Sequence, residues 1–474
     1  MYINGAWVDA RKSFASHNPA NGEVLGHVPD GNETDARLAI AAAAKAFPEW
    51  AASTAYLRSS LLHRAWQIMM ERKEELARLM TEEQGKPLKA SRNEVVYGAD
   101  FLQWFSEEAK RVYGAVIPAP RTEQRFITLR QPVGVVAAIT PWNYPISMLT
   151  RKMAPALAAG CTIVLKPAEA TPLCAMAVFK VFHDAGFPSG VVNLVTASDP
   201  VPVGQEMTTN PLVRKITFTG STRVGKEIAA KAAAQVKRVS MELGGHAPFI
   251  VCPDADPVHA AKGATLIKGL NTGQACISPN RFLVHRPLAP AFLAELTART
   301  AKLKAGSGLD ESVSVGPLIN SMALDKVHRQ VEDALSKGAK LECGGHRLTE
   351  HGLDKGCFYA PTVLSGVTRD MLIWREETFG PIAPVIAYDD EAEILPLAND
   401  TAYGLAAYVY TPTLARAMRL FEGLHFGIIG INDINPTAVA APFGGMQESG
   451  LGREGGAEGI SEYLETKLGG FSLV

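Results

Sequence analysis

Cysteine is scarce in this chain and never paired. The 474 residues hold six, Cys161, Cys174, Cys252, Cys276, Cys343 and Cys357. None belongs to a C-x-x-C pair, and no Cys/His group has the spacing of a zinc site. A disulfide framework and a structural zinc are therefore not expected, and a reducing compartment, the cytoplasm, is. An excess of one charge is also lacking. Lys and Arg number 47 against 48 Asp and Glu, a net charge of −1. That balance leaves no electrostatic footprint for nucleic acid or an anionic membrane. Long apolar runs are missing as well. The most apolar stretch, residues 133–150, is broken by Pro141 and Pro145 and holds Asn143, too interrupted to span a bilayer. The first residues show no basic segment leading into an apolar run, so no signal peptide is expected.

What is present has the balance of an ordinary globular protein, 47% hydrophobic and 20% charged. The length exceeds what one core organises, so two or three domains are expected. No repeat or low-complexity linker marks them off. Residues 33–52, 54–84 and 93–111 read as helices; in the second, Leu57, Leu61, Leu62, Ala65, Ile68 and Met69 recur at helical spacing. Beyond residue 126 the pattern changes. Strand-like runs at 133–140, 162–166, 191–195, 215–219 and 236–243 alternate with helical runs at 146–159, 172–185 and 222–234. The alternation resumes with 248–252, 257–271 and 281–285 and continues to about 440. It predicts an α/β fold of parallel sheets with helices on both faces. Ligands of such sheets bind beyond the carboxyl ends of the strands.

Four places on that frame carry candidate chemistry, each with a plainer reading beside it. Phe218-Thr219-Gly220-Ser221 follows a strand and opens a helix. Its first N–H groups and dipole suit a phosphate; a capped turn without a ligand reads equally well. Cys276 lies in the polar loop Asn271-Thr272-Gly273-Gln274-Ala275-Cys276. Its thiol is either an exposed nucleophile or inert, as befits Cys161, Cys174 and Cys252 in their apolar runs. Glu242 ends a strand, as a general base for water or as a solvated carboxylate. Asn143, between Pro141 and Pro145, is a donor for a developing oxyanion or a turn residue. The stretch Gly450-Leu451-Gly452-Arg453-Glu454-Gly455 matches the dinucleotide fingerprint by letter. It follows a loop rather than a strand and reads as a glycine turn.

Taken in order, these segments resemble the aldehyde dehydrogenase superfamily along essentially the whole chain. The stretches that carry the resemblance are Pro141-Trp142-Asn143-Tyr144-Pro145, Lys166-Pro167-Ala168-Glu169, Phe218 to Ser221, Met241-Glu242-Leu243-Gly244-Gly245, Gly273 to Cys276, Glu376-Glu377-Thr378-Phe379 and Pro442-Phe443-Gly444-Gly445. The resemblance implies two doubly wound, Rossmann-like parallel-sheet domains and a small β arm. The dinucleotide-binding domain would span 1–113 and 133–243, the catalytic domain 244–440, and the oligomerisation arm 114–132 and 455–474. A homodimer or homotetramer is expected.

The roles it implies are specific. Cys276 is the nucleophile, Glu242 the general base and Asn143 the oxyanion-hole side chain. Ile139, Thr140, Pro141, Trp142, Lys166, Ala168, Glu169, Phe218, Gly220, Ser221, Val224, Leu243, Gly244, Glu377 and Phe379 line the NAD(P) site. Lys152 and Glu454 match a proton-relay pair, with a plain ion pair as the alternative. Glu169 suits a ribose diol and repels a 2′-phosphate, which favours NAD, with NADP use left open by Lys166. Within the superfamily the chain is most similar to succinate-semialdehyde dehydrogenases, through residues 150–161 and the 450–455 tail. That likeness assigns Arg151, Thr437 and Phe443 to the substrate and implies succinate semialdehyde or a related carboxylated aldehyde.

The chain also departs from the pattern. Leu270 stands where a second carboxylate-binding arginine is usual, which opens a neutral aliphatic or aromatic aldehyde as the alternative. Ser278 replaces a second cysteine, and Ala275, His246 and the 196–199 loop differ too. A CoA-acylating enzyme and a non-catalytic structural member are further readings; Glu242 opposes the first, and the intact Cys276, Glu242 and Asn143 oppose the second.

Overall fold

The computed structural model describes residues 1–473. The alternating runs resolve into two main sheets. In the first, Val192–Leu194, Thr162–Lys166, Val135–Ile139, Val213–Thr219 and Arg238–Glu242 lie side by side and parallel. Short antiparallel strands flank them, Tyr2–Ile3 at one edge and Gly450–Leu451 at the other. The second sheet runs Lys340–Cys343, Thr362–Ser365, Ile382–Tyr388, Pro279–His285, Ala247–Val251, Ala406–Tyr410 and Ile428–Ile431, parallel except at its first pair.

Period-two alternation fixes which side chains face which layer. Val135, Ala137 and Val164 meet Ala36, Ala39, Ile40 and Ala43 of the Glu33–Ala52 helix, whose alanines allow close approach. Val136, Ala138, Ile163 and Leu165 point the other way, toward Leu149, Met153 and Leu157 of the Ser147–Ala159 helix. The second sheet repeats the device: Phe249, Val251, Phe282 and Val284 fill one core, Ile250 and Leu283 the other. The third unit is a three-stranded antiparallel sheet in which Gln124–Pro132 pairs with Leu464–Ser472 and Ala115–Ile117. It leaves Val116, Ile117, Leu129, Leu468 and Phe471 exposed.

Two local readings change. The helix read over 54–84 is two, Ala55–Glu71 and Lys73–Gln84, because Arg72 leaves helical geometry at φ −93° and ψ 15°. A helix at Pro200–Thr209 went unread, although Asp199 caps it and Pro200 opens it. The 450–455 glycine stretch, read as a turn rather than a phosphate loop, lies at a sheet edge. Gly450–Leu451 pairs with Met241 and Glu242 at the edge of the first sheet.

Candidate active site

The chain leaves the first sheet at Glu242 and enters the second at Ala247. Residues 243–246 therefore bridge the two sheets. At this bridge two backbones approach closely: a Cβ on Gly245 would lie 2.3 Å from the Cys276 carbonyl oxygen, so only glycine fits there.

Cys276 is delivered by a strained loop. Beyond the Pro257–Gly269 helix, Asn271, Thr272 and Gly273 are all left-handed, at φ 47°, 59° and 73°. A β-branched threonine in that region is held there by its surroundings. Thr272 Oγ1 donates to the Gly316 carbonyl at 3.1 Å, and Gln274 Oε1 accepts from Ile319 N at 2.9 Å. Below the loop, buried Lys268 donates to the Pro279 carbonyl at 2.8 Å and to Asn280 Oδ1 at 3.1 Å. Burial pushes the Lys268 ammonium down to about 7.

Asn143 reaches this loop from the first sheet. It is buried, and its Nδ2 donates to the Gln274 carbonyl at 3.0 Å. An amide has two N–H groups, so the contact fixes the amide plane and leaves one donor over. Cys276 is partly buried, and burial pushes its thiol up to about 12, with the charges of Glu377 and Glu242 adding to the rise. The resting thiol is thus protonated near neutrality. Only the thiolate is alkylated, so iodoacetamide modification of Cys276 in the free enzyme should quicken about tenfold per pH unit between about pH 7 and 10. Mass spectrometry of the modified peptide measures it; a rate already level at pH 7 would contradict the raised thiol.

Glu242 is buried, and its Oε2 has no hydrogen-bond partner in the protein. Burial, then the charge of Glu454, pushes its carboxyl well above the usual range, while Lys152 and Arg151 oppose the shift. Glu454 accepts from Lys152 Nζ at 2.6 Å and lies 3.7 Å from Arg151 Nε. Its backbone pairs with Phe443, whose ring stacks 4.2 Å from the Arg151 guanidinium carbon. Arg151 also donates to the Tyr97 hydroxyl at 2.9 Å. Thr437 stands apart on a loop, donating to Asn435 Oδ1 at 3.4 Å. Leu270 is 40% exposed at the start of the nucleophile loop.

On the other side, carboxyl ends of the first sheet form a cradle. Ser221 caps the Thr222–Ala233 helix, its side chain accepting from Val224 N. Ile139 and Phe218 are register partners on adjacent parallel strands. Just past Ile139, and at the end of its neighbour, the buried hydroxyls of Thr140 and Thr219 have no protein partner. Gly220 N donates to the Glu242 carbonyl at 3.1 Å. Gly244 N donates to Thr222 Oγ1 at 3.3 Å. Lys166 is buried at the end of its strand, just before Pro167 and Ala168, with its Nζ 3.6 Å from the exposed Glu169 carboxylate. Glu377 Oε1 accepts from Gly245 N at 2.9 Å, and burial raises its carboxyl. Phe379 is left-handed at φ 55° and sets its ring edge-on to Trp142, just past Pro141, with centroids 5.6 Å apart. Orphaned hydroxyls beside a capped helix N-terminus fit a dinucleotide.

Sequence reasoning missed Lys86, Glu94, Gln274 and Lys268, the buried groups that hold the loops. A polar residue in a loop or a helix gives no local sign of being buried or of its distant partner.

Two parallel sheets joined at a nucleotide cradle and a cysteine loop define a pyridine-nucleotide-dependent oxidoreductase. Residues 7–468 match the aldehyde dehydrogenase family, and the chain belongs to that family, whose members oxidise aldehydes with NAD(P). The glutarate-semialdehyde dehydrogenase of Pseudomonas aeruginosa is 49% identical over 99% of this chain and 97% of its own. A succinate-semialdehyde dehydrogenase of Escherichia coli K12, designated NADP(+), is 49% identical over 98% and 96%. The crystal structure of succinate-semialdehyde dehydrogenase from Burkholderia pseudomallei superimposes with a TM-score of 0.97 at 45% identity, covering 99% of this chain and 97% of that one.

Proposed function

We propose that the enzyme uses NAD(P) to oxidise a carboxylated semialdehyde of the succinate or glutarate type to its dicarboxylic acid, with Cys276 as the covalent nucleophile. The observation that supports the chemistry most is the convergence of Cys276, Asn143 and Glu242 where residues 243–246 bridge the sheets. The thiolate of Cys276 adds to the aldehyde carbon, giving a thiohemiacetal whose oxyanion takes the free Asn143 N–H and the Cys276 backbone N–H. NAD(P), when bound in the cradle, would supply the acceptor for the hydride that leaves this carbon. The resulting thioester is hydrolysed by water that has given its proton to Glu242. Lys152, paired with Glu454, would help that proton leave. Ser221 and its helix N-terminus would hold the pyrophosphate, Lys166 and Glu169 the adenosine ribose, and Glu377 and Phe379 the nicotinamide end. The remaining cradle residues, Ile139 to Trp142, Ala168, Phe218, Gly220, Val224, Leu243 and Gly244, would line it.

Arg151 supports the carboxylated substrate: it is a buried guanidinium among Phe443, Tyr97 and Glu454, and a planar fork suits a carboxylate. Thr437 would add a hydroxyl. Leu270 favours the second reading, a neutral aldehyde, because it offers no charge. One kinetic panel tests both, with succinate semialdehyde, glutarate semialdehyde and pentanal as substrates. The semialdehydes should lead in kcat/KM by at least about tenfold, the worth of a charged hydrogen bond of about 1.5 kcal/mol. Leu270→Arg should widen the gap. Equal use of pentanal by the natural enzyme would overturn the carboxylated reading.

For the cofactor, the Glu169 carboxylate supports NAD over NADP, while Lys166 and the NADP(+) designation of a relative keep NADP as an alternative. The same panel, run with each, decides. The exposed apolar arm suits self-association as a dimer or tetramer. No helix among the described residues is long and apolar enough to cross a membrane, and six free cysteines suit the cytoplasm.

A further inference from the structure

We propose that the buried pair Lys86–Glu94 is a positioning device for the oxyanion hole, acting through the backbone of Asn143; this rests on Asn143 being the oxyanion donor. An amide donor is useful only if its backbone cannot swing, since a small misplacement forfeits most of the stabilisation. The Asn143 side chain is tied to Gln274, but what fixes its main chain is separate. The Asn143 carbonyl accepts from Lys86 Nζ at 2.8 Å and from Asn271 Nδ2 at 2.8 Å. Lys86 is 1% exposed and is paired with Glu94, itself buried. Glu94 Oε1 accepts in turn from Ile146 N at 3.0 Å and Ser147 N at 3.2 Å, at the start of the helix that carries Arg151 and Lys152. Lys86 Nζ also lies 4.0 Å from the centre of the Tyr144 ring. One ion pair thus grips residues 143, 144, 146 and 147.

The contacts extend to the nucleophile loop. A Cβ on Gly316 would lie 2.1 Å from the Gly85 carbonyl oxygen, so this backbone packs directly on the Lys86 segment. The Gly316 carbonyl receives the Thr272 hydroxyl, and Asn271, the residue before it, shares the Asn143 carbonyl with Lys86. The nucleophile loop thus meets this segment through the Gly85–Gly316 backbone and through Asn271, contacts that the Lys86 side chain does not make. A buried ion pair is a poor way to gain stability, because desolvation offsets its attraction. Its use here is to give the Asn143 carbonyl a second donor beside Asn271, one fixed to a different element of the fold.

A double-mutant cycle between Lys86→Met and Asn143→Ala, in the full-length enzyme with saturating cofactor, tests this. Lys86→Met should lower kcat for aldehyde oxidation by about tenfold or more, part of what a lost oxyanion donor costs. Cofactor KM and the rate of Cys276 alkylation by iodoacetamide should stay within about twofold, since displacement at an alkyl halide builds no oxyanion. In the Asn143→Ala background the same substitution should change kcat by less than about twofold. Lys86→Met/Glu94→Gln keeps the acceptor for Ile146 and Ser147 without an unpaired buried charge, and serves if the single variant does not fold. It should show the same loss of kcat. Effects of Lys86 and Asn143 that multiply, a parallel fall in alkylation and cofactor binding, or a natural kcat in the double variant would each overturn the inference and leave Asn143 its role. An Asn143→Ala enzyme with unchanged kcat would instead remove the oxyanion reading, and the inference with it.

Discussion

Replacing Cys276 by alanine should remove aldehyde-dependent NAD(P)H formation by at least about 10⁴-fold, the scale of losing a covalent nucleophile. The change deletes one sulfur from a partly buried position whose neighbours are tied by other groups. Gln274 is held by Ile319 and Pro317, Pro279 by Lys268, and Asn143 by Lys86. The loop should therefore keep its shape, and the variant its cofactor affinity and melting temperature. That combination separates lost chemistry from lost structure. Absorbance at 340 nm during turnover reads the first, and cofactor titration the second. Aldehyde oxidation at the natural rate without this sulfur would end the covalent mechanism.

Glu242→Gln should act later in the cycle. The glutamine is isosteric and neutral, so it suits a pocket that already disfavours the charge of Glu242. Attack by Cys276 and loss of hydride need no base for water. The first turnover should therefore release about one equivalent of NAD(P)H per site, followed by a steady state slower by about 10²–10⁴-fold, the usual worth of a positioned base. Rapid mixing with intact-mass measurement should find the acyl group on the enzyme. In the natural enzyme the steady rate should fall as pH drops through the raised pKa of Glu242, because only the carboxylate accepts a proton. A burst that disappears along with the steady rate would place Glu242 before hydride loss, as the base for the thiol.

Much of this architecture is written in local patterns. Gly160 is left-handed at φ 95° and ends the Ser147–Ala159 helix where a glycine C-cap predicts. Val135 to Ala138 alternate between two cores, so an unbroken apolar run betrays a strand buried on both faces. The co-linear motifs around Asn143, Glu242 and Cys276 pointed to the family; the chain departs from it at Leu270 and Ser278. What local pattern does not carry is pairing at a distance. Lys86 and Glu94 sit eight residues apart on a loop and a helix, and nothing in that spacing announces a shared burial. Gly450–Leu451 has the letters of a phosphate loop, and only its partner strand reveals an edge of the first sheet. Cys276 taken alone reads as exposed or inert; its thiol is partly buried, on a loop whose Asn271 and Thr272 are left-handed.

That edge strand has a consequence for how the enzyme comes into being. Glu242 is capped by backbone that lies over 200 positions further along, and Lys152 finds Glu454 across 302. A ribosome that has released Glu242 and even Cys276 has therefore not yet supplied the strand beside Glu242 or the partner of Lys152. The residues around Glu242 are thus completed only by the last part of the chain.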